Sequence, residues 1–159
     1  MDESDLGRIE VNPIGFVRRT SADEDVKDRS LVSEIVLNSS LIEALEGIDE
    51  WSHIYIIYWL NKVEQSEEQI LLFPGDRPDK PPVGVLSTRA PIHPNPIGLT
   101  LVELIKWEKT VIHVRGLDAY DGTPVLDIKP YPDWEHGRFV VVTDFRVPAW
   151  LRSIIAKHE

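Results

Sequence analysis

Residues 84–104 read GVLSTRAPIHPNPIGLTLVEL, an apolar strand pattern at each end with a proline-rich loop between. Val83, Val85 and Leu86 lead in, and Leu99, Leu101, Val102 and Leu104 lead out. Each proline of Pro91, Pro94 and Pro96 fixes φ near −65° by ring closure, removes a backbone donor and pushes its predecessor out of the helical region. Such a loop is stiff and has little entropy left to lose on folding. Gly98 then permits a backbone approach that a Cβ would forbid. The segment therefore reads as two strands joined by a rigid connector that carries Arg89, His93 and Asn95. On residues alone, that connector is either a holder of polar groups at a fixed spot or a plain structural link.

Working outward, the same strand signal recurs along the chain. Ile9, Val11, Ile14, Phe16 and Val17 suggest a first strand, broken or bulged at Pro13 and Gly15 and followed by Arg18 and Arg19. Residues 1–7 read as a polar leader, and Ser21 to Ser30 as a polar loop, either a solvated connection or a binding loop. Leu31 to Leu37 resumes strand character, and a short helix follows over Leu41 to Leu45, capped by Ser39 or Ser40 and closed by Gly47. The stretch SHIYIIYWL, residues 52–60, is apolar on both faces and reads as a central strand ending in Asn61 and Lys62. Glu64 to Pro82 reads as a surface excursion. TVIHVRGL, residues 110–117, alternates as a half-buried strand should, and Asp121-Gly122 is a turn signal before the short strand Val125 to Ile128. A turn over Asp133 to Gly137, a strand over Phe139 to Thr143 and a short amphipathic helix over Pro148 to Lys157 complete the reading. About seven short strands and one or two short helices predict an all-β single domain over residues 1–159, with a barrel preferred over a sandwich.

Composition narrows the function. The chain has 159 residues, 42% hydrophobic and 28% charged, enough for one packed core. With no cysteine, disulfides and thiolate metal sites are excluded. No run approaches a membrane span and the start is acidic, so the expectation is a cytoplasmic protein with no membrane contact. The net charge of −10 repels nucleic acid on average, so any such partner requires a focused basic patch.

The five histidines, at 53, 93, 113, 136 and 158, form no pair at metal-site spacing, and no metal is expected. His53 and His113 read as structural strand residues. There is no P-loop, no GxGxxG after a strand and no GxSxG elbow. Ser87 and Thr88 lack the base and orienting carboxylate that a nucleophile needs. Two constellations remain: the Arg89 loop, and Asp118 to Tyr131, in which Asp127 and Lys129 project to one face of a strand while Ile128 points to the other. That pair is either a solvated surface ion pair or part of a pocket for a zwitterionic ligand.

These two stretches, TRAPIHPNPIGLT and LDAYDGTPVLDIKPY, resemble the TRSPxRPNPIGLS and LDxxDGTPVLDIKPY patterns of the TsaA-like (TrmO-like) family. IGFVRRT is similar to the family's opening strand, and LEGIDEWSHIYIIYWLN to its L-x-G segment ending in SH and a strand. The resemblance runs from Ile9 to Tyr131, with residues 132–159 beyond it. It implies a homodimeric β-barrel methyltransferase that uses S-adenosylmethionine and methylates N6 of threonylcarbamoyl-adenosine at tRNA position 37. Other acceptors, or a binding module without transfer, stay open as alternatives.

By motif matching, the resemblance places Asn61, Lys62, Arg89 and Leu99 at cofactor-contacting positions, together with Asp121, Gly122, Thr123, Pro124, Asp127, Ile128 and Lys129. The chain departs from the family at His93, where arginine is frequent, and in the first loop, where VKDRSLVSE replaces a PRQPG segment. Arg29 is the arginine there that can stand in at the cofactor. Arg18, Arg19, His93 and Asn95 are the expected RNA-facing residues. A base within reach of the attacking N6 would aid transfer, and Asp127 and Tyr131 are the candidates.

Overall fold

The computed structural model describes residues 7–64, 70–73, 81–135, 138–139, 146 and 148. Six antiparallel strands close into a barrel in the order β1-β2-β7-β6-β3-β8. They are β1 (Gly15–Arg18), β2 (Val32–Leu37), β3 (His53–Trp59), β6 (Ile97–Glu108), β7 (Val111–Arg115) and β8 (Pro124–Tyr131). Two small hairpin sheets lie outside the barrel: β4 (Leu71–Leu72) with β5 (Val83–Gly84), and β9 (Trp134–Glu135) with β10 (Arg138–Phe139). Closure gives each barrel strand two neighbours over at least part of its length.

Strand alternation builds the core. Inward positions hold Val17, Ile35, Ile54, Ile56, Val102, Ile112, Val114 and Val125, all essentially inaccessible to solvent. The β-branched residues dominate here because they fit a pleated surface packed on one side. One β-bulge resets the pattern in β8. The ladder to β3 pairs Ile57 with Asp127 but Tyr58 with Val125, so Leu126 is the extra residue. Both Val125 and Ile128 therefore pack inward, while Asp127 and Lys129 turn outward. A second irregularity lies between Leu104 and Lys106, where β6 meets β7.

Among the described residues the helical pieces are all 3-10 turns. The segment expected as a helix over Leu41 to Leu45 is the 3-10 turn Ser39–Leu45, and its cap is Asn38, whose side chain accepts from the Ser40 N–H. Gly47 follows in the left-handed region, φ 82°, as a C-terminal glycine should. The first loop contains the turn Asp23–Lys27, and Val85–Ser87 forms another before the proline loop. The strand expected over Phe139 to Thr143 and the helix over Pro148 to Lys157 lie, beyond Phe139 and Pro148, outside the described residues, as do most of Glu64 to Pro82 and the first six residues.

Two features of this fold create a site. Antiparallel order brings the end of β1, the end of β3, the start of β6 and the end of β7 to one mouth of the barrel. In addition, β6 has 12 residues and β7 only 5. The β7 ladder reaches no further than Glu103, so Ile97–Val102 pair with β3 on one side and with no strand among the described residues on the other. The barrel wall parts there, and the β7–β8 connection, residues 116–123, runs opposite the unpaired edge.

Candidate functional site

The free edge of β6 exposes backbone carbonyls that need partners. Arg89 Nη2 donates to Leu99 O at 2.5 Å, and Arg29 Nη2 donates to Leu101 O at 3.4 Å. Two guanidiniums from distant loops thus hold the parted seam. Across it, Arg19 is buried and holds the opposite bank: its guanidinium donates to Leu117 O (2.9 Å), Ala119 O (3.4 Å) and Asp25 O (3.3 Å), and also to Ser21 Oγ.

Between the banks lies a cavity of about 450 Å³, a size that suits a cofactor or a comparable small ligand. Its apolar walls include Val26, Leu60, Ile97 and Ala119. The Thr88–Ala90 segment, Pro91 and His93 bring the proline loop to it, and Asn61 and Lys62 bring the end of β3. Lys62 Nζ donates to Asp23 Oδ2 at 2.9 Å and stands 5.0 Å from the Tyr120 ring centroid. That contact ties the first loop to the cavity, where Val26 and Lys27 also line the wall.

The floor holds three polar side chains. Thr100 Oγ1 donates to Asp118 Oδ1 at 2.5 Å, Tyr58 OH donates to the same oxygen at 3.1 Å, and the two hydroxyls lie 3.1 Å apart. Burial pushes the Tyr58 phenol up to about 12, and the neighbouring Asp118 charge adds to this while the Thr100 contact opposes it. Tyr58 is therefore a fixed neutral donor. Gly98 faces it from β6, and the Tyr58 ring lies directly over that glycine. The glycine that the sequence marks as a place of close approach is approached by an aromatic ring.

The expected site residues divide into three groups. Asn61, Lys62, Arg89, His93, Leu99 and Thr123 line the cavity. Asp121, Gly122 and Pro124 support it from behind: Asp121 Oδ1 accepts the Arg19 N–H at 2.8 Å, Gly122 N donates to Val17 O, and Pro124 pairs with Phe16. The DGTP turn thus fastens β8 to β1 and presents Thr123. Arg29 flanks the floor, with Nη1 3.8 Å from Asp118 Oδ2.

The remaining expected residues lie apart from the cavity lining. Asp127 and Lys129 form a surface ion pair at 2.9 Å, and that carboxylate holds the Lys129 ammonium above its ordinary pKa. Tyr131 packs edge-on against Tyr55, centroids 5.6 Å apart. Ile128 and Asp127 instead border a second depression at the far mouth, beside Leu41, Ile48 and Trp51. Arg18 is paired with Glu34 on the barrel exterior, and Asn95 is exposed, its carbonyl accepting from Ile97 N. Arg19, expected on an RNA-facing surface, is buried because its guanidinium serves as a strut for three carbonyls.

Sequence reasoning missed Tyr58 and Thr100, and gave no role to Asp118 although it opens the second constellation. Tyr58 and Thr100 occupy inward strand positions that read as core. The available signal was Thr100 itself, a hydroxyl at an inward position between Gly98 and Val102. Among the described residues, no three His, Cys, Asp or Glu side chains are grouped as metal ligands, and no helix is long and apolar enough to cross a membrane.

A six-stranded antiparallel barrel, parted at one seam around a cofactor-sized cavity with a cationic rim, defines a small-molecule-binding barrel. Residues 22–134 match the tRNA-methyltransferase O N-terminal domain, and the chain belongs to that family. It is similar to a probable S-adenosyl-L-methionine-binding protein of Methanothermobacter thermautotrophicus, 41% identical over 128 residues, 77% of this chain and 90% of that protein. A tRNA (adenine(37)-N6)-methyltransferase of Mus musculus is 43% identical over 88 residues, which span 55% of this chain and 20% of that one. Among solved structures, TrmO from Pseudomonas aeruginosa aligns with a TM-score of 0.65 at 28% identity, covering 90% of this chain. The chain spans 63% of that protein's length.

Proposed function

We propose that this chain binds S-adenosylmethionine in the seam cavity and transfers its methyl group to N6 of threonylcarbamoyl-adenosine beside the tRNA anticodon. The observation that carries this reading is the rim: Lys27, Lys62 and Arg89 converge, with His93 beside them, on one cavity in a chain of net charge −10, and the three cations are what sets this rim apart. A cationic cluster maintained against the overall charge attracts an anionic partner locally, which is what a phosphate backbone needs. The apolar walls and the polar floor suit a nucleoside cofactor carrying a charged end.

Asn61, Lys62, Leu99 and Thr123 are the residues we assign to holding the cofactor, with Arg89 fixing the edge beside it. S-adenosylmethionine supplies a methyl group on a sulfonium that a nitrogen nucleophile displaces in line. The work left to the chain is alignment of donor and acceptor and exclusion of water, both of which a rigid proline loop and a clamped first loop favour. Asp127 and Tyr131 are not among the residues lining this cavity, so we assign neither to proton removal.

The homodimer is assigned to the outer face of β3 and β6. Trp59 pairs with Ile97, Ile57 with Leu99 and Tyr55 with Leu101, an apolar block in which Trp59, Ile97, Leu99 and Leu101 are exposed while Tyr55 and Ile57 are half-buried. A second copy is the occupant that would cover it. Leu101→Glu then converts dimer to monomer in light scattering, and a wild-type chain that scatters as a monomer at all concentrations overturns the assignment.

The test of the function is transfer of labelled methyl to tRNA carrying threonylcarbamoyl-adenosine, with tRNA lacking the modification as control. Label in the modified tRNA alone is the expected result. Cofactor binding in calorimetry with no label in either RNA overturns the transfer reading and leaves a binding module.

A further inference from the structure

Asp118 is the one carboxylate among the described residues that line the cavity, facing Lys27, Lys62 and Arg89 on the other walls. Its two oxygens differ. Oδ1 is occupied by Thr100 at 2.5 Å and Tyr58 at 3.1 Å, both buried, so the carboxylate is held in one orientation. Oδ2 faces Arg29 Nη1 at 3.8 Å, too far for a hydrogen bond, with both side chains about half exposed. The Arg29 guanidinium is itself tethered to Leu101 O. A fixed anion and a tethered cation, loosely paired at 3.8 Å and both about half exposed, present opposite charges side by side to a group that carries both.

We propose that Asp118, oriented by Thr100 and Tyr58, receives the ammonium of an α-amino acid end, and that Arg29 receives its carboxylate. Resting on the reading that the cavity takes S-adenosylmethionine, the assignment names which part of that cofactor the floor recognises. An oxygen already saturated by two hydroxyls leaves its partner oxygen for a strong donor, and a charge-assisted bond is favoured over one from a neutral ribose or base edge. Insertion of the zwitterion exchanges the long Arg29–Asp118 contact for two short ones, each with opposite charge. Tyr58 and Thr100 are positioning residues, since they act through Asp118.

The experiment is calorimetry on the full chain with four probes: S-adenosylmethionine, S-adenosylhomocysteine, decarboxylated S-adenosylmethionine and methylthioadenosine, which lacks the amino acid end. Asp118→Asn keeps the shape and the Thr100 contact while removing the charge. It is expected to weaken the first three probes by about tenfold or more and to leave methylthioadenosine unchanged. Arg29→Ala is expected to weaken S-adenosylmethionine but not its decarboxylated form. Tyr58→Phe is expected to reproduce part of the Asp118→Asn loss with the same probe selectivity. Equal loss of methylthioadenosine in Asp118→Asn overturns the assignment and gives the carboxylate to the nucleoside. Unchanged affinity for every probe also overturns it. A wild-type chain that binds none of the four overturns the cofactor reading itself, an outcome distinct from failed selectivity.

Discussion

Gly98→Ala is the most informative single change, because the structure fixes both its cost and its mechanism. A Cβ at position 98 would lie 2.8 Å from Tyr58 Cδ2 and closer still to Cε2 and Cζ. Relief needs the ring to move, yet Tyr58 is 4% exposed and its hydroxyl is bonded to both Thr100 and Asp118. Overpacking of this kind costs about 1–3 kcal/mol. Pulling the phenol off two partners adds roughly 1 kcal/mol for each bond lost. The expected destabilisation is therefore about 3–5 kcal/mol, read as a lower denaturant midpoint in urea melts followed by circular dichroism. Cofactor affinity should fall as well, since the same ring orients the cavity floor. A double-mutant cycle isolates the cause: in a Tyr58→Ala background, Gly98→Ala should cost less than about 1 kcal/mol. A Gly98→Ala protein within about 0.5 kcal/mol of wild type, or one equally destabilised in both backgrounds, refutes the close-approach account.

The other expectations are narrower. Arg89→Ala should leave stability within about 1 kcal/mol, since the side chain is exposed, while weakening cofactor binding about tenfold in calorimetry; unchanged affinity in a folded variant removes Arg89 from the site. Ser33 is 1% exposed and its Oγ has no hydrogen-bond partner, so Ser33→Ala should be neutral or stabilising by up to about 1 kcal/mol in the same melts. For pH, Tyr58 binds its proton more tightly when folded, about 12 against 10.0. Its contribution is thus fully present below pH 10 and lost as pH rises through about 12, and the loss is on the order of 2 kcal/mol. Wild type should lose that much more stability than Tyr58→Phe across this window, and parallel losses would contradict the burial argument.

The barrel was legible because its strands obey a period of two that the sequence displays openly. TVIHVRGL alternates, and Ile112 and Val114 lie inward in the structure; HIYIIYW, apolar on both faces, was legible as a central strand, and the structure adds that Ile54 and Ile56 are its inward residues. What the sequence hid is register. The continuous alternation of VLDIKPY does not announce that Leu126 is an extra residue, yet that bulge decides that Asp127 and Lys129 turn outward. The strand read over residues 99–104 is the middle of a 12-residue one, Ile97–Glu108, and only pairing shows that its ladder with β7 stops at Glu103. Arg89 and His93 stood out as polar side chains on a stiff loop, Asn61 and Lys62 were placed by the family resemblance, and all four line the cavity. The floor was missed because Tyr58 and Thr100 sit where core residues belong.

Parity explains why the site draws on four separated stretches. In a closed antiparallel barrel every second connection returns to the same mouth, whatever the distance along the chain. Here the connection after β1 brings Val26, Lys27 and Arg29, the end of β3 brings Asn61 and Lys62, the connection before β6 brings Arg89 and His93, and the one after β7 brings Asp118. The opposite mouth receives the Ser39–Leu45 turn and Trp51, which border an apolar depression with Asp127 as a charged member of its lining. The same topology brings Lys27, Lys62, Arg89 and the neighbouring Arg29 together at the parted seam, with Asp23 paired to Lys62 beside them. The lone lining carboxylate, Asp118, stands among those cations, held by two hydroxyls. Both signs are therefore presented within one mouth, the cations around its rim and the single lining carboxylate at its floor.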